Sequence, residues 1–157
     1  MALAPANPAA ASARLADYLI LESRERGDLL TPLKLQKLMF YADAWCMALF
    51  DEELTPETFQ AWVHGPVAPS QFHRFKEFKW MPITANLERP DFSNNHRIFL
   101  NEIIDVFGSE SATALEIMTH RELPWREARG DLPEDEPCTN AISKQTTKTF
   151  YRGFAGD

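Results

Sequence analysis

The sequence predicts a single, mainly α-helical domain, built around a buried central helix at about residues 32–50, with a small β element near residues 58–64. Three observations favour this architecture. A chain of 157 residues is long enough for one domain with a core and too short for two ordinary ones. Hydrophobic residues make up 45% of it, as in soluble globular proteins. The 18 residues that follow Pro32 contain neither Gly nor Pro.

The central helix has a clear predicted start and an unusual interior. Thr31 is suited to cap it, and Pro32 suits its first position, where the missing N–H costs nothing. From Leu38 onward the helix is apolar on nearly every face, which predicts burial on all sides. Asp43 interrupts this run. Its carboxylate either pairs with a cation or backbone donor in the core, or is a perturbed acid in a binding cleft.

The other elements are predicted from local patterns along the chain. Residues 1–10 are mostly Ala and Pro, which predicts a disordered tail ahead of a domain at residues 11–157. The last helix places Ile142, Thr146, Phe150 and Phe154 in one column at steps of four. The predicted order is a helix at about 12–26, the central helix, a strand at 58–63 ended by residues 64–66, a helix after 69 or 70, a strand at 81–85, helices around 99–107 and 114–119, a helical turn from 124, and a final helix at about 143–152.

Charge and cysteine content exclude several classes of protein. The net charge of −7 argues against broad contact with nucleic acid, which needs a basic face. Cys46 and Cys138 lie far apart and suggest neither a disulfide framework nor a metal pair, which fits a reducing cytoplasm. The N-terminal residues lack the pattern of a signal peptide, and no apolar run reaches the ~20 residues that span a bilayer.

Familiar catalytic motifs are absent from the sequence, and its four histidines occur singly. We therefore expect no enzyme, no cofactor and no metal. A hydrolase that uses Asp43 and His120 is an alternative from another class.

Two sets of residues are candidates for contact with a partner. Lys34, Lys37 and Tyr41 fall on one side of the central helix, three and four positions apart. They form either a docking stripe or the solvated edge of a buried helix. Trp62, beside His64 and the Gly-Pro turn, is a large anchor that is either architectural or a contact residue.

Charged clusters on the surface leave a similar choice. Arg74, Lys76 and Lys79 form a short basic group, in contrast to acidic groups at residues 51–53 and 134–136. Such clusters are either solvated surface or docking patches. The acidic balance of the chain favours a protein partner over a nucleic acid.

Several of these segments together resemble one family. Residues 31–42, TPLKLQKLMFYA, resemble the "LKLQKLLYYA" signature of Panacea-domain antitoxins, the SocA-like group. Residues 61–69, AWVHGPVAP, match that family's "AW.yGPV.p" element, with His64 where an aromatic is common. Residues 119–125 resemble its "TH…PW" element, and the order and spacing agree over roughly residues 12–154.

The resemblance implies a mainly α antitoxin of bacteria and phages that neutralises a cognate protein toxin by direct binding. It also implies a second mode, in which the antitoxin is an adaptor that delivers the toxin to an AAA+ protease such as ClpXP. The expected contact residues are Lys34, Lys37, Tyr41, Trp62 and His64. A DNA-binding autorepressor of its own operon is the alternative, and the acidic charge counts against it.

Overall fold

Seven α-helices, one short 3-10 helix and one β-hairpin make up the regular structure of residues 7–155, the part of the chain that the computed structural model describes. The predicted mainly α fold class, with a small β element, is confirmed. The elements are α1 (Pro8–Glu25), α2 (Pro32–Phe50), β1 (Gln60–Trp62), β2 (Gly65–Val67), α3 (Pro69–Phe75), a short 3-10 helix (Lys76–Phe78), α4 (Asn94–Phe107), α5 (Ala112–Arg121), α6 (Leu123–Arg129) and α7 (Lys144–Phe154).

Helix α2 is the centre of the fold, with the bounds that its sequence predicts. The Thr31 hydroxyl accepts a hydrogen bond from the Lys34 backbone N–H at 3.3 Å and so caps the helix. Residues 35–44 are buried without interruption. Around them pack the hairpin strand β2 and helices α1, α3, α4, α5 and α7. The helix ends at Asp51, which adopts a left-handed conformation.

Helix α1 begins earlier than its composition predicts. It starts at Pro8 instead of about residue 12, because the Asn7 side chain accepts a hydrogen bond from the Ala9 N–H at 3.0 Å. The alanines that follow are strong helix formers, and this propensity matters more here than their lack of apolar bulk. Residues 8–10 of the predicted tail therefore belong to α1, and residues 1–6 of it lie outside the described part of the chain.

The predicted single strand is the first half of a hairpin. Strands β1 and β2 pair antiparallel, with Trp62 opposite Gly65 and Val63-His64 between them. The alternating pattern predicts the first strand correctly. The Gly-Pro pair, from which the end of the strand is predicted, instead begins the second strand. The segment before α7 adds to the outer side of β1, where Ile142 N–H donates to the Phe59 carbonyl at 2.8 Å.

Two other expectations are corrected. Residues 81–85 form no strand. The buried positions within α7 are Thr147 and Tyr151, whereas Phe154 is 65% exposed. Ile142 precedes α7, and steps of four drift by about 40° each around a helix of 3.6 residues per turn, so the predicted column does not follow the buried face of this helix. None of the described helices is long and apolar enough to cross a membrane.

Candidate partner-binding site

Gln36 connects the N-terminal half of α2 to the chain that leaves the hairpin. Its Oε1 accepts a hydrogen bond from the Ala68 backbone N–H at 2.7 Å, and its Nε2 donates to the Ala68 carbonyl at 3.3 Å. Both residues are buried, so these bonds satisfy polar atoms that would otherwise destabilise the core. The sequence motifs at residues 31–42 and 61–69 therefore form one structural unit.

Gly65 is the point where the hairpin closely approaches α2. Its φ is +115°, a region that side chains other than glycine rarely adopt, and a Cβ there would lie 2.6 Å from Lys37 Cε. The turn and the close approach both require glycine. The Gly of the AWVHGPV motif thus serves the architecture of the hairpin.

A groove of about 630 Å³ lies beside the hairpin and is open to solvent on one side. Within it the Trp62 indole meets the Phe72 ring edge to face, with ring centroids 4.8 Å apart. The indole Nε1 donates to Gln60 Oε1 at 2.8 Å, so what Trp62 offers a ligand is its apolar ring. The other apolar lining residues include Pro32, Leu33, Val63, Val67, Trp80 and Pro137.

The groove collects these side chains from four parts of the chain. The first turn of α2, the hairpin, the segment from α3 to Trp80, and residues 137–139 each supply one wall. The last segment reaches the groove because Asn140 accepts a hydrogen bond through its carbonyl from the Ala61 N–H at 2.9 Å. Contacts between distant parts of the chain therefore build this surface.

The charged residues that line the groove are Lys76 and Lys79, and both are exposed. No Asp or Glu of residues 7–155 is part of the lining. His64 stands at the same surface with its Nδ1 3.1 Å from Glu116 Oε2. The groove is therefore apolar with positive charge at its border, in a chain whose net charge is −7.

The five expected contact residues divide between this groove and the interior. Trp62 and His64 line the groove. Lys37 and Tyr41 are both 0% exposed, so they form neither a docking stripe nor a solvated edge. Lys34 is half-buried, and its Nζ donates to Asp28 Oδ2 at 3.0 Å and to the Gly108 carbonyl at 2.7 Å.

Tyr41 belongs to a buried network at the junction of α5 and α6. Its hydroxyl and that of Tyr151 both donate to Glu122 Oε1, each at 2.6 Å. Burial raises the pKa of Glu122, while these two hydroxyls act in the opposite direction. Tyr41 also stacks on Phe107, with centroids 4.5 Å apart. The network ties three helices to α2 and leaves no part of Tyr41 for a partner.

Lys37 has no such support. Its Nζ has no hydrogen-bond partner within the described part of the chain, although Gly65 and Thr119 lie close to it. Burial lowers the pKa of Lys37 to about 7, and the negative charge of Glu116 acts in the opposite direction. The Lys37 amine is therefore partly deprotonated near neutral pH, whereas an ordinary lysine is fully protonated there.

Of the two alternatives for Asp43, a paired acid in the core or a perturbed acid in a binding cleft, the structure supports the first. Its Oδ2 accepts a hydrogen bond from Lys144 Nζ at 2.6 Å, and its Oδ1 accepts from the backbone N–H groups of Leu54 and Thr55 at 2.8 and 3.2 Å. Burial raises the pKa of Asp43, while the Lys144 ammonium and the two amides act to lower it. Asp43 thus fastens α7 and the connection after α2 to the central helix.

His120 lies in different surroundings from Asp43. Its ring stacks on Trp125 with centroids 4.0 Å apart, and burial lowers the pKa of the imidazole. Asp43 and His120 share no hydrogen-bond partner among the described residues, so the two groups of the hydrolase alternative are not brought together. Within residues 7–155, no group of three or more His, Cys, Asp or Glu side chains could hold a metal ion.

Sequence reasoning missed most of the groove. Phe72 and Trp80 line it, yet a helical pattern around Phe72 predicts only a buried face, and the region of Trp80 has no periodicity. One signal was present: the basic pair Lys76 and Lys79 stands next to an apolar Trp-Met pair, in a chain with excess acid. The Trp-Met pair lies at the surface, with Trp80 75% exposed.

Comparison with known proteins adds the family. The model of the antitoxin SocA-like, Panacea domain matches residues 35–126, more than half of the chain. The matched range runs from α2 through the hairpin to α6 and includes most of the groove, whereas α1 and α7 lie outside it. No curated protein and no solved structure matches the chain. The chain therefore belongs to the Panacea-domain family of SocA-like antitoxins.

Proposed function

We propose that this protein neutralises a partner toxin by binding it directly, and that the groove beside Trp62 and His64 is the contact surface. Membership of an antitoxin family implies a toxin partner. The observation that carries the proposal is an uncovered apolar groove. It is formed in large part by two motifs of the family, the helical one at residues 31–42 and the hairpin one at residues 61–69. Apolar concave surfaces with an exposed tryptophan are typical of protein interfaces.

The groove favours binding over the two other modes. An adaptor for a ClpXP-type protease needs a second contact site, and the exposed acidic loop at residues 131–137 is a candidate. Arg129 donates hydrogen bonds to the carbonyls of Pro133 and Glu134, which holds this loop against α6 instead of leaving it as a free tether. An operon autorepressor needs several phosphate contacts, and the net charge of −7 opposes them.

The test is to combine the purified chain with the product of the gene encoded next to it. We expect co-expression to restore growth and the two proteins to co-purify. Trp62→Ala should weaken binding by about 30-fold, the effect of losing about 2 kcal/mol at an interface anchor. Because Trp62 is half-buried, the variant should remain folded.

The control is Phe154→Ala, which removes a large exposed aromatic ring from a residue outside the groove. It should bind the toxin like the wild type. Neutralisation without a detectable complex would contradict the proposal. Titration separates the modes: a blocker neutralises one equivalent of toxin, whereas an adaptor added with protease and ATP removes most of the toxin at substoichiometric amounts.

A further inference from the structure

The groove has a chemical character that selects among protein partners. Its volume of about 630 Å³ lies within the range of roughly 300–1,000 Å³ that is typical of ligand pockets, and its lining is mostly apolar. It is open to solvent, and its lining residue Trp80 is 75% exposed. A surface of this size and shape accommodates one or two bulky apolar side chains that project from another protein.

The charges at the border of the groove are free to meet a ligand. Lys76 and Lys79 make no ion pair in the part of the chain that the structure describes. Glu77 lies between them in sequence but is not part of the lining. The neighbouring Arg74 is already paired with Asp17 at 2.8 Å. Two unpaired ammonium groups therefore border an apolar floor.

The backbone at Lys79 adopts an uncommon conformation. Its φ is +56°, which is uncommon for a residue with a side chain, and its N–H donates to the Lys76 carbonyl at 3.1 Å. Such strained positions recur at sites of binding. The turn brings both lysines and Trp80 to the same groove.

We propose that the groove binds a segment of the partner toxin in which a bulky apolar side chain is flanked by carboxylates; this inference rests on the proposed function. The apolar side chain fills the space beside Trp62, and the carboxylates meet Lys76 and Lys79. The net charge of −7 repels an acidic partner at a distance, but salt screens that repulsion beyond about 8 Å, so the local lysines decide the contact.

A second copy of this chain is the main competing occupant. Its exposed Leu132 is flanked by Asp131 and Glu134, which is the same chemistry. Arg129 donates hydrogen bonds to the carbonyls of Pro133 and Glu134, which holds the loop that carries Leu132 against α6, and this opposes its insertion into the groove of a second molecule. The experiment below therefore includes the oligomeric state of the chain among its measurements.

The test compares two double charge reversals in the full chain, with the toxin encoded next to it as the ligand. The first is Lys76→Glu with Lys79→Glu. The control is Arg121→Glu with Arg126→Glu, which changes the net charge equally at exposed residues outside the groove. Association rate and Kd are measured at low and at physiological salt, and circular dichroism checks that each variant is folded.

We expect the groove variant to associate about tenfold more slowly at low salt, with a smaller difference at physiological salt, because charges at the border of an interface steer association. The control should change the rate less than threefold. Carbodiimide cross-linking of the wild-type complex should join Lys76 or Lys79 to carboxylates of one toxin segment. A synthetic peptide of that segment should shift the tryptophan fluorescence of the wild type more than that of Trp62→Ala.

The outcomes separate the two proposals. If the wild type binds no toxin, the proposed function fails and this inference fails with it. If the wild type binds toxin but both double variants bind equally, or the cross-links lie elsewhere, only the inference is overturned. A wild-type dimer that the groove variant dissociates, with unchanged toxin binding, would assign the groove to self-association and also overturn it.

Discussion

Two charged side chains of helix α2 are buried to a similar extent, and only one of them has a partner within residues 7–155. Asp43 is 1% exposed and bonds to Lys144 and to two backbone amides. Lys37 is 0% exposed, and no described group forms a hydrogen bond with its amine. The buried charge in the half of α2 that packs on α7 is therefore satisfied, while the buried amine in the half beside the hairpin and the groove is not.

The difference shows where the fold tolerates a loss of stability. A buried charge without a partner is destabilising, and proteins retain such features mostly near sites of function. Here the unfavourable group contacts Gly65, the glycine of the hairpin that forms the groove. The fully paired groups, Asp43 and Glu122, lie in networks that tie α7 and the junction of α5 and α6 to the core.

The largest effect is expected where the comparison predicts the strongest pair. Lys144→Met should lower the free energy of unfolding by about 3 kcal/mol at pH 7, because it leaves Asp43 buried without its counter-ion. Urea unfolding measures this change. Lys148→Met is the matched control, since its partner Asp51 is exposed, and it should have a much smaller effect. Equal losses in both variants would mean that the Asp43 pair contributes no more than a surface pair.

A change of opposite sign is expected at the unpaired group. Lys37→Met should raise the free energy of unfolding by roughly 1–4 kcal/mol at pH 7, because methionine fills similar space without a charge to desolvate. A destabilised Lys37→Met variant would show that the amine makes a favourable contact, and the contrast with Asp43 would then be lost.

The same variant has a defined pH dependence. The pKa of Lys37 is about 7 in the folded chain and 10.5 in the unfolded chain. Between these values the unfolded chain binds a proton that the folded chain has released, so the free energy of unfolding rises with pH, by up to about 1.4 kcal/mol per pH unit. Below pH 7 the full penalty of the buried charge is present.

The measurement belongs between pH 7 and 9. Above pH 9 the thiol of Cys46, whose pKa burial raises to about 12, adds an effect of the opposite sign. Wild type minus Lys37→Met removes contributions common to both proteins. The advantage of the variant should therefore shrink as pH rises from 7 to 9, and a constant difference would contradict the lowered pKa of Lys37.

The smallest effect is expected one turn earlier on the same helix. Lys34→Ala should lower the free energy of unfolding by about 1 kcal/mol, because it removes bonds to a half-exposed Asp28 and to the Gly108 carbonyl. Toxin binding should stay unchanged, since Lys34 does not line the groove. A binding loss as large as that of Trp62→Ala would extend the contact surface to this lysine.

Much of the fold follows from local patterns in the sequence. The bounds of α2 depend on a threonine cap, a first-turn proline and a long run without glycine or proline, and these act within a few residues of each other. The two motifs at residues 31–42 and 61–69 likewise indicated the family that the comparison confirmed. The same patterns placed Trp62 and His64 beside a turn, where the groove lies.

Tertiary structure alone decided the surroundings of each side chain. The partner of Asp43 is Lys144, which lies 101 positions away in sequence. A helical wheel put Lys37 and Tyr41 on a possible outer face, but six elements pack around α2 and leave its middle no outer face. The groove joins Trp62, Trp80 and Pro137. Caps and helical periodicity arise from interactions between near neighbours, whereas pairing and exposure depend on which distant segments pack together, and no local pattern records that.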